Sequence, residues 1–149
     1  MDLQTRQALF LAISARLTGF EVVELEGTGM TQTYLATLAE NTAGDVLDLF
    51  FEEAAAILSL ADDEAINAAI RSKLMPDSSY DATAKAIILM WYTGEWYTQI
   101  AQPASIDSTQ INGASYVQGL MWAVAEAHPP GAKQPGYGSW AEPPIRIPA

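Results

Sequence analysis

Few side chains in this sequence have the reactivity to run a reaction, and their spacing limits what each can do. His128 is the single histidine of the 149-residue chain. A general base needs an orienting partner and a reacting group within hydrogen-bond reach, and the local run Ala127-His128-Pro129-Pro130 supplies neither. It falls where a helical pattern gives way to proline, so the ring is expected to be exposed or to touch backbone. A metal site built on it would need carboxylates for every other ligand, and none stands at ligand spacing. Two carboxylate groups, Glu52-Glu53 and Asp62-Asp63-Glu64, are the candidates for acid–base pairs. Adjacent residues on a helix point in different directions, and the second group opens a helix, where acids favour the positive end of the dipole. Both groups are therefore expected on solvated faces and at caps. A glycosidase pair would further require an aromatic cleft between separated helices.

Gly27-Thr28-Gly29 is the one glycine-rich loop. It lacks the dinucleotide fingerprint, a preceding strand, and the Lys-Ser/Thr of a phosphate loop, so it is expected to be a turn. No Gly-x-Ser-x-Gly elbow occurs. With no cysteine, disulfides, thiolate metal sites and cysteine nucleophiles are excluded. No catalytic residue, cofactor-binding residue or metal ligand is assigned to this chain.

The formal charge of −11, with seven Lys and Arg in all, argues against nucleic acid and against anionic membrane surfaces, which both need clustered basic groups. Most carboxylates precede Tyr80, whereas the last third is nearly neutral and holds all four tryptophans. Half of the residues are hydrophobic, enough for one packed domain. No apolar run reaches the roughly 18 residues of a membrane span, so the chain is expected to be soluble. Met1 to Phe10 carries Asp2 and Arg6 at helical spacing, unlike a signal peptide.

The apolar spacing predicts an all-α fold: a compact bundle of about five to six helices over residues 1–128, followed by an extended Pro/Gly-rich tail over 129–149. Leu3, Phe10, Ile13 and Leu17 mark the first helix, which Thr18-Gly19 stops. Phe20 to Gly29 is expected as loop. Met30, Tyr34, Leu35 and Leu38 mark the second helix, and Val46, Leu49, Phe50, Ala54 and Ile57 the third, with Thr42 and Asp45 as its capping box. Ser59 with Asp62 is expected to cap a fourth helix bearing Ile66, Ile70 and Leu74. After the break at Met75-Pro76-Asp77, Ser78 with Asp81 is expected to cap a fifth. That helix is apolar on two faces (Ile87, Ile88, Trp91; Leu89, Met90, Tyr92), which places it centrally. Ala101 to Ala114 is expected as loop. Tyr116, Leu120 and Val124 suggest a short sixth helix that Gly119 weakens, with a strand as the alternative.

The aromatic side chains divide by context. Trp91 is expected in the core, and Trp122 with it. Trp140 lies in a tail bounded by proline and glycine, where ordering costs about 1–2 kcal/mol per residue with little burial in return. Such a tail is mobile or held by a surface. Trp96, Tyr137, Trp140, Pro143 and Pro144 are the candidate partner-contact residues, because large aromatics dominate interface hot spots.

Four runs resemble one family in order along nearly the whole chain. They are Leu11 to Gly19 (Leu-Ala-Ile-Ser-Ala-Arg-Leu-Thr-Gly), Trp91-Tyr92-Thr93-Gly94, Tyr116 to Trp122, and Pro135-Gly136-Tyr137-Gly138-Ser139-Trp140-Ala141-Glu142-Pro143-Pro144. The chain resembles the small subunit of bacterial FAD-dependent sugar and polyol dehydrogenase complexes, the sorbitol, fructose, glucose and glucoside dehydrogenase group. The resemblance implies a non-catalytic chain that binds a large subunit of the glucose-methanol-choline oxidoreductase type and assists its maturation. FAD and the catalytic histidines would belong to that subunit, and a cytochrome c subunit would often accept the electrons. It implies a periplasmic complex; if Met1 is the natural start, the missing twin-arginine export signal points to the cytoplasm instead. The lack of cysteine rules out the inter-subunit disulfide of some relatives. A helical interaction module or chaperone without a dedicated flavoprotein, and a stand-alone carboxylate enzyme, are the competing readings.

Overall fold

The structure, a computed structural model, describes residues 2–75, 80–98 and 107–132. It is mostly all-α, as the spacing predicts. α1 (Leu3–Thr18) starts at Asp2, whose Oδ1 accepts from the Thr5 amide at 3.0 Å, and ends at Gly19, left-handed at φ 80°. Phe10 and Ile13 are wholly buried on the expected stripe, but Leu3 in the first turn is 68% exposed.

The expected loop from Phe20 to Gly29 is corrected: α2 (Val22–Gly27) occupies most of it. The Glu21 amide donates to Glu24 Oε2 at 2.8 Å, which satisfies one of the free donors of a helix start. Leu25, wholly buried, anchors the helix. α3 (Thr31–Asn41) buries Tyr34, Leu35 and Leu38, the residues its spacing picked out.

α4 (Gly44–Leu58) turns Leu47, Phe50, Phe51, Ala54 and Ile57 inward. Leu49 was expected on that stripe and is instead 52% exposed, because apolar residues at both 46/49 and 47/51 leave the face ambiguous by one position. The Thr42/Asp45 capping box does not form. Ala43 takes the cap position, and Thr42 is the extended residue that ends α3. For α5 (Asp63–Ala69) the cap is Asp62 itself, accepting from the Ala65 amide at 2.8 Å, while Ser59 donates back to the Ala56 carbonyl. α5 runs into one π-helical turn, Ile70–Leu74, closed by Met75 N–H on the Ile70 carbonyl at 3.2 Å. Ile66, Ile70 and Leu74 are all buried, as expected.

α6 (Asp81–Thr93) is the central helix, packed against both α1 and α3. Ala84, Ile87, Met90 and Trp91 are wholly buried. Trp91 stacks on Phe10 (centroids 6.0 Å apart) and takes the edge of Tyr34 (4.9 Å, 89°), so one ring joins three helices. The expected cap Ser78 lies outside the described residues.

Past α6 the expectations need two corrections. Ser108 to Gln110, within the segment expected as loop, forms strand β2, antiparallel to β1 (Glu95–Tyr97) with Trp96 opposite Thr109. The single sixth helix is two short ones, α7 (Gly113–Gln118) and α8 (Met121–Val124), parted at Gly119, and Val124 is 61% exposed.

Candidate partner interface

The C-terminal end of α6 is where the described aromatic side chains of the last third are placed. Gly94 ends the helix with φ 72°, its amide donating to the Met90 carbonyl at 2.9 Å. The turn aims the Gly94 carbonyl at the following segment. It accepts from the Ile111 amide at 3.1 Å and from Ser115 Oγ at 2.7 Å. Ser115 is wholly buried and also belongs to the start of α7: Asn112 Oδ1 accepts from the Ser115 amide at 2.8 Å, and the Asn112 amide donates to Ser115 Oγ at 3.0 Å. The approach leaves no room for a side chain. A Cβ at position 94 would stand 2.3 Å from the Ser115 carbonyl oxygen, and one at Gly119 would stand 2.8 Å from the Tyr92 carbonyl oxygen. The Leu120 amide then donates to the Trp91 carbonyl at 2.9 Å.

On the other side, the Tyr92 hydroxyl donates to the Thr18 carbonyl at 2.9 Å, and Phe20 sets its ring edge-on to Tyr92 at 6.2 Å. Three of the runs that carry the family resemblance (Leu11 to Gly19, Trp91 to Gly94, Tyr116 to Trp122) therefore meet at one place. Their contacts are largely to backbone, so this junction depends on close approach as much as on side-chain identity.

Outside that junction lies a half-buried aromatic surface. Trp96 sits on β1 with Tyr97, packed partly against the core edge. Trp122 was expected inside and is only half-buried. Its Nε1 donates to the Tyr116 carbonyl at 2.8 Å, and its ring meets Tyr116 edge-on at 5.4 Å. From Glu95 to Ala132 the described residues include no Lys or Arg, and only Glu95, Asp107 and Glu126 as carboxylates. Charge-poor, aromatic and partly exposed, this surface has the composition of the centre of a protein–protein contact. Of the candidate contact residues, Trp96 is here. Tyr137, Trp140, Pro143 and Pro144 lie outside the described residues.

The candidates for chemistry are placed apart from one another. Glu53 pairs with Lys73 at 2.7 Å, Asp63 with Arg16 at 2.7 Å, and Asp62 caps α5. His128 is half-buried, with Nδ1 3.4 Å from the Pro129 carbonyl oxygen. Gly27-Thr28-Gly29 forms the turn between α2 and α3, with Thr28 Oγ1 donating to the Leu25 carbonyl and accepting from the Met30 amide. Among the described residues no three His, Asp or Glu side chains converge as a metal site would require. An open cleft of about 410 Å³ between α1 and the start of α3 is lined by Gln4, Gln7, Leu11, Glu26, Thr31 and Gln32, with Glu26 its one ionisable group. No helix among the described residues is long and apolar enough to cross a membrane.

The sequence gave no warning of Ser115, Gly94 or Gly119 as positioning residues. The available signal was a glycine directly after the most apolar helix, and Asn112 three residues ahead of Ser115. No family model, no curated protein and no solved structure matches the chain.

Proposed function

We propose that this chain is a non-catalytic small subunit that binds, stabilises and aids maturation of a large FAD-dependent sugar or polyol dehydrogenase subunit of the glucose-methanol-choline type. The observation that supports this reading best is the meeting of three family-like runs at the end of α6, with Tyr92 and Thr18 bonded across 74 residues of sequence. Residues that share one structural junction have a common reason to occur together, which separate short matches would lack. The charge-poor aromatic surface beside the junction fits the second part of the reading. Trp96 would be one anchor on the large subunit, and Tyr137, Trp140, Pro143 and Pro144 would extend the contact along the tail. Covering apolar surface on the large subunit stabilises it by mass action, since the small subunit binds the folded form.

On this reading FAD, the catalytic histidines and sugar specificity belong to the partner. The complex would work in the periplasm, with a cytochrome c subunit as electron acceptor. The test is co-expression of the full chain, or of a chain ending at His128, with the large FAD-containing subunit. The full chain is expected to raise the yield of FAD-loaded, sugar-oxidising partner, and the truncated chain to lose that effect. Equal yield and activity with and without the chain would refute the reading. A partner consistently captured without FAD would favour the general interaction module.

A further inference from the structure

Three side chains in the core carry polar atoms that the fold leaves without a hydrogen-bond partner: Ser14 Oγ, Tyr34 OH and Trp91 Nε1. All three residues are wholly buried. They come one each from α1, α3 and α6, three helices that pack against one another. Trp91 is their common neighbour. Tyr34 sets its ring edge against it at 4.9 Å, and Phe10, one helical turn before Ser14, stacks on it at 6.0 Å. Buried polar atoms of native proteins are nearly all hydrogen-bonded, to protein or to an ordered water. Leaving one unpaired costs about 1–3 kcal/mol, and three such groups in one core would act against a fold otherwise closely packed here.

We propose that Ser14, Tyr34 and Trp91 together hold one buried water molecule at the junction of α1, α3 and α6. The donor and acceptor inventory fits a single water. The indole N–H can only donate, whereas the two hydroxyls both donate and accept. The water oxygen accepts from Trp91 Nε1 and from the Tyr34 hydroxyl, and one of its hydrogens goes to Ser14 Oγ. That makes three bonds, the usual number for an internal water. Burial pushes the Tyr34 phenol above its ordinary range, so it stays protonated and available as a donor. Two of the three residues lie in runs that carry the family resemblance, Ser14 in Leu11 to Gly19 and Trp91 in Trp91 to Gly94, but the water site stands whether or not the subunit reading holds.

Tyr34→Phe separates the alternatives by sign. An orphaned hydroxyl is a burden, so its removal leaves stability unchanged or raises it. A hydroxyl that holds a water loses a bond, and the folding equilibrium constant falls about two- to tenfold. The experiment combines urea unfolding of the full chain, wild type, Tyr34→Phe, Ser14→Ala and the double variant, with a high-resolution crystal structure of the wild type. The expected result is a destabilised Tyr34→Phe protein, non-additive single effects, and an ordered water within hydrogen-bond distance of all three atoms. A Tyr34→Phe protein as stable as wild type or more so overturns the proposal. So do additive effects, or a map with no ordered water at that position.

Discussion

The helices before α6 and the segment after it are held by different means. From α1 to α5 the chain is fixed by side-chain burial: Phe10, Ile13, Leu25, Tyr34, Leu38 and Phe50 are wholly enclosed, and ion pairs such as Arg16–Asp63 rim the outside. From Gly94 to Ala132 the only buried large hydrophobic side chain is Leu120 among the described residues. That segment is attached through backbone contacts instead, from Gly94, Trp91 and Tyr92 carbonyls to Ile111, Ser115, Leu120 and Gly119. A region held by burial tolerates change of shape at a cost that grows with lost volume. A region held by close backbone approach tolerates almost none at the contact points, yet leaves its own aromatic side chains free for other contacts. The second arrangement suits a surface that must be presented to a partner.

The comparison can be broken at the ring that serves both regions. Trp91→Ala is expected to cost about 3–5 kcal/mol, because it removes a fully buried indole in contact with Phe10 and Tyr34. Urea unfolding should show a single transition displaced for the whole domain. Gly94→Ala comes next, at about 3 kcal/mol, from a left-handed backbone and a Cβ 2.3 Å from the Ser115 carbonyl oxygen. Its effect is expected to be local: amide exchange should accelerate over residues 108–124 while α1, α3 and α4 keep their protection. Equal acceleration in both regions would show that they are not held separately.

How much of this is legible in the sequence follows the same division. The helices held by burial announce themselves through period, so Phe10 with Ile13, Tyr34 with Leu35 and Leu38, and the two-faced apolar run around Trp91 are all placed correctly. α2 is not, since six residues with one buried side chain, Leu25, show no period. Leu49 fails because two apolar registers overlap in α4. In the backbone-held segment the pattern is nearly silent. Three-residue strands, one of them the exposed Ser108-Thr109-Gln110, carry no alternation to read. Gly119 looks like a weak point in a helix, and its actual role is to let the chain approach the Tyr92 carbonyl. Trp91 was legible as core, whereas the half-buried state of Trp122 depends on a contact with Tyr116 that spacing alone does not reveal.

Smaller effects sharpen the contrast from the side of the charged rim. Arg16→Ala should cost less than about 1 kcal/mol, since both partners of the Asp63 pair are partly exposed, and added salt should shrink even that difference in thermal unfolding. Asp2 gives the smallest change and a pH signature. Its carboxylate is held below the ordinary value of 3.8, chiefly by the hydrogen bond from the Thr5 side chain and then by the Thr5 amide. A depressed folded-state value means the stabilisation is present above pH 3.8 and is lost as the pH falls through the folded value. Asp2→Ala is thus expected to lower the midpoint of thermal unfolding slightly at neutral pH, and the difference from wild type should fade in acid.

Hydrogen exchange of the full chain, alone and in complex with the large FAD-containing subunit, tests the central claim most directly. The account predicts new protection over residues 95–97 and 113–124 and along 133–149, with α4 and α5 exchanging as they do in the free chain. Protection confined to the α4–α5 face, with the segment after Gly94 unchanged, would contradict it.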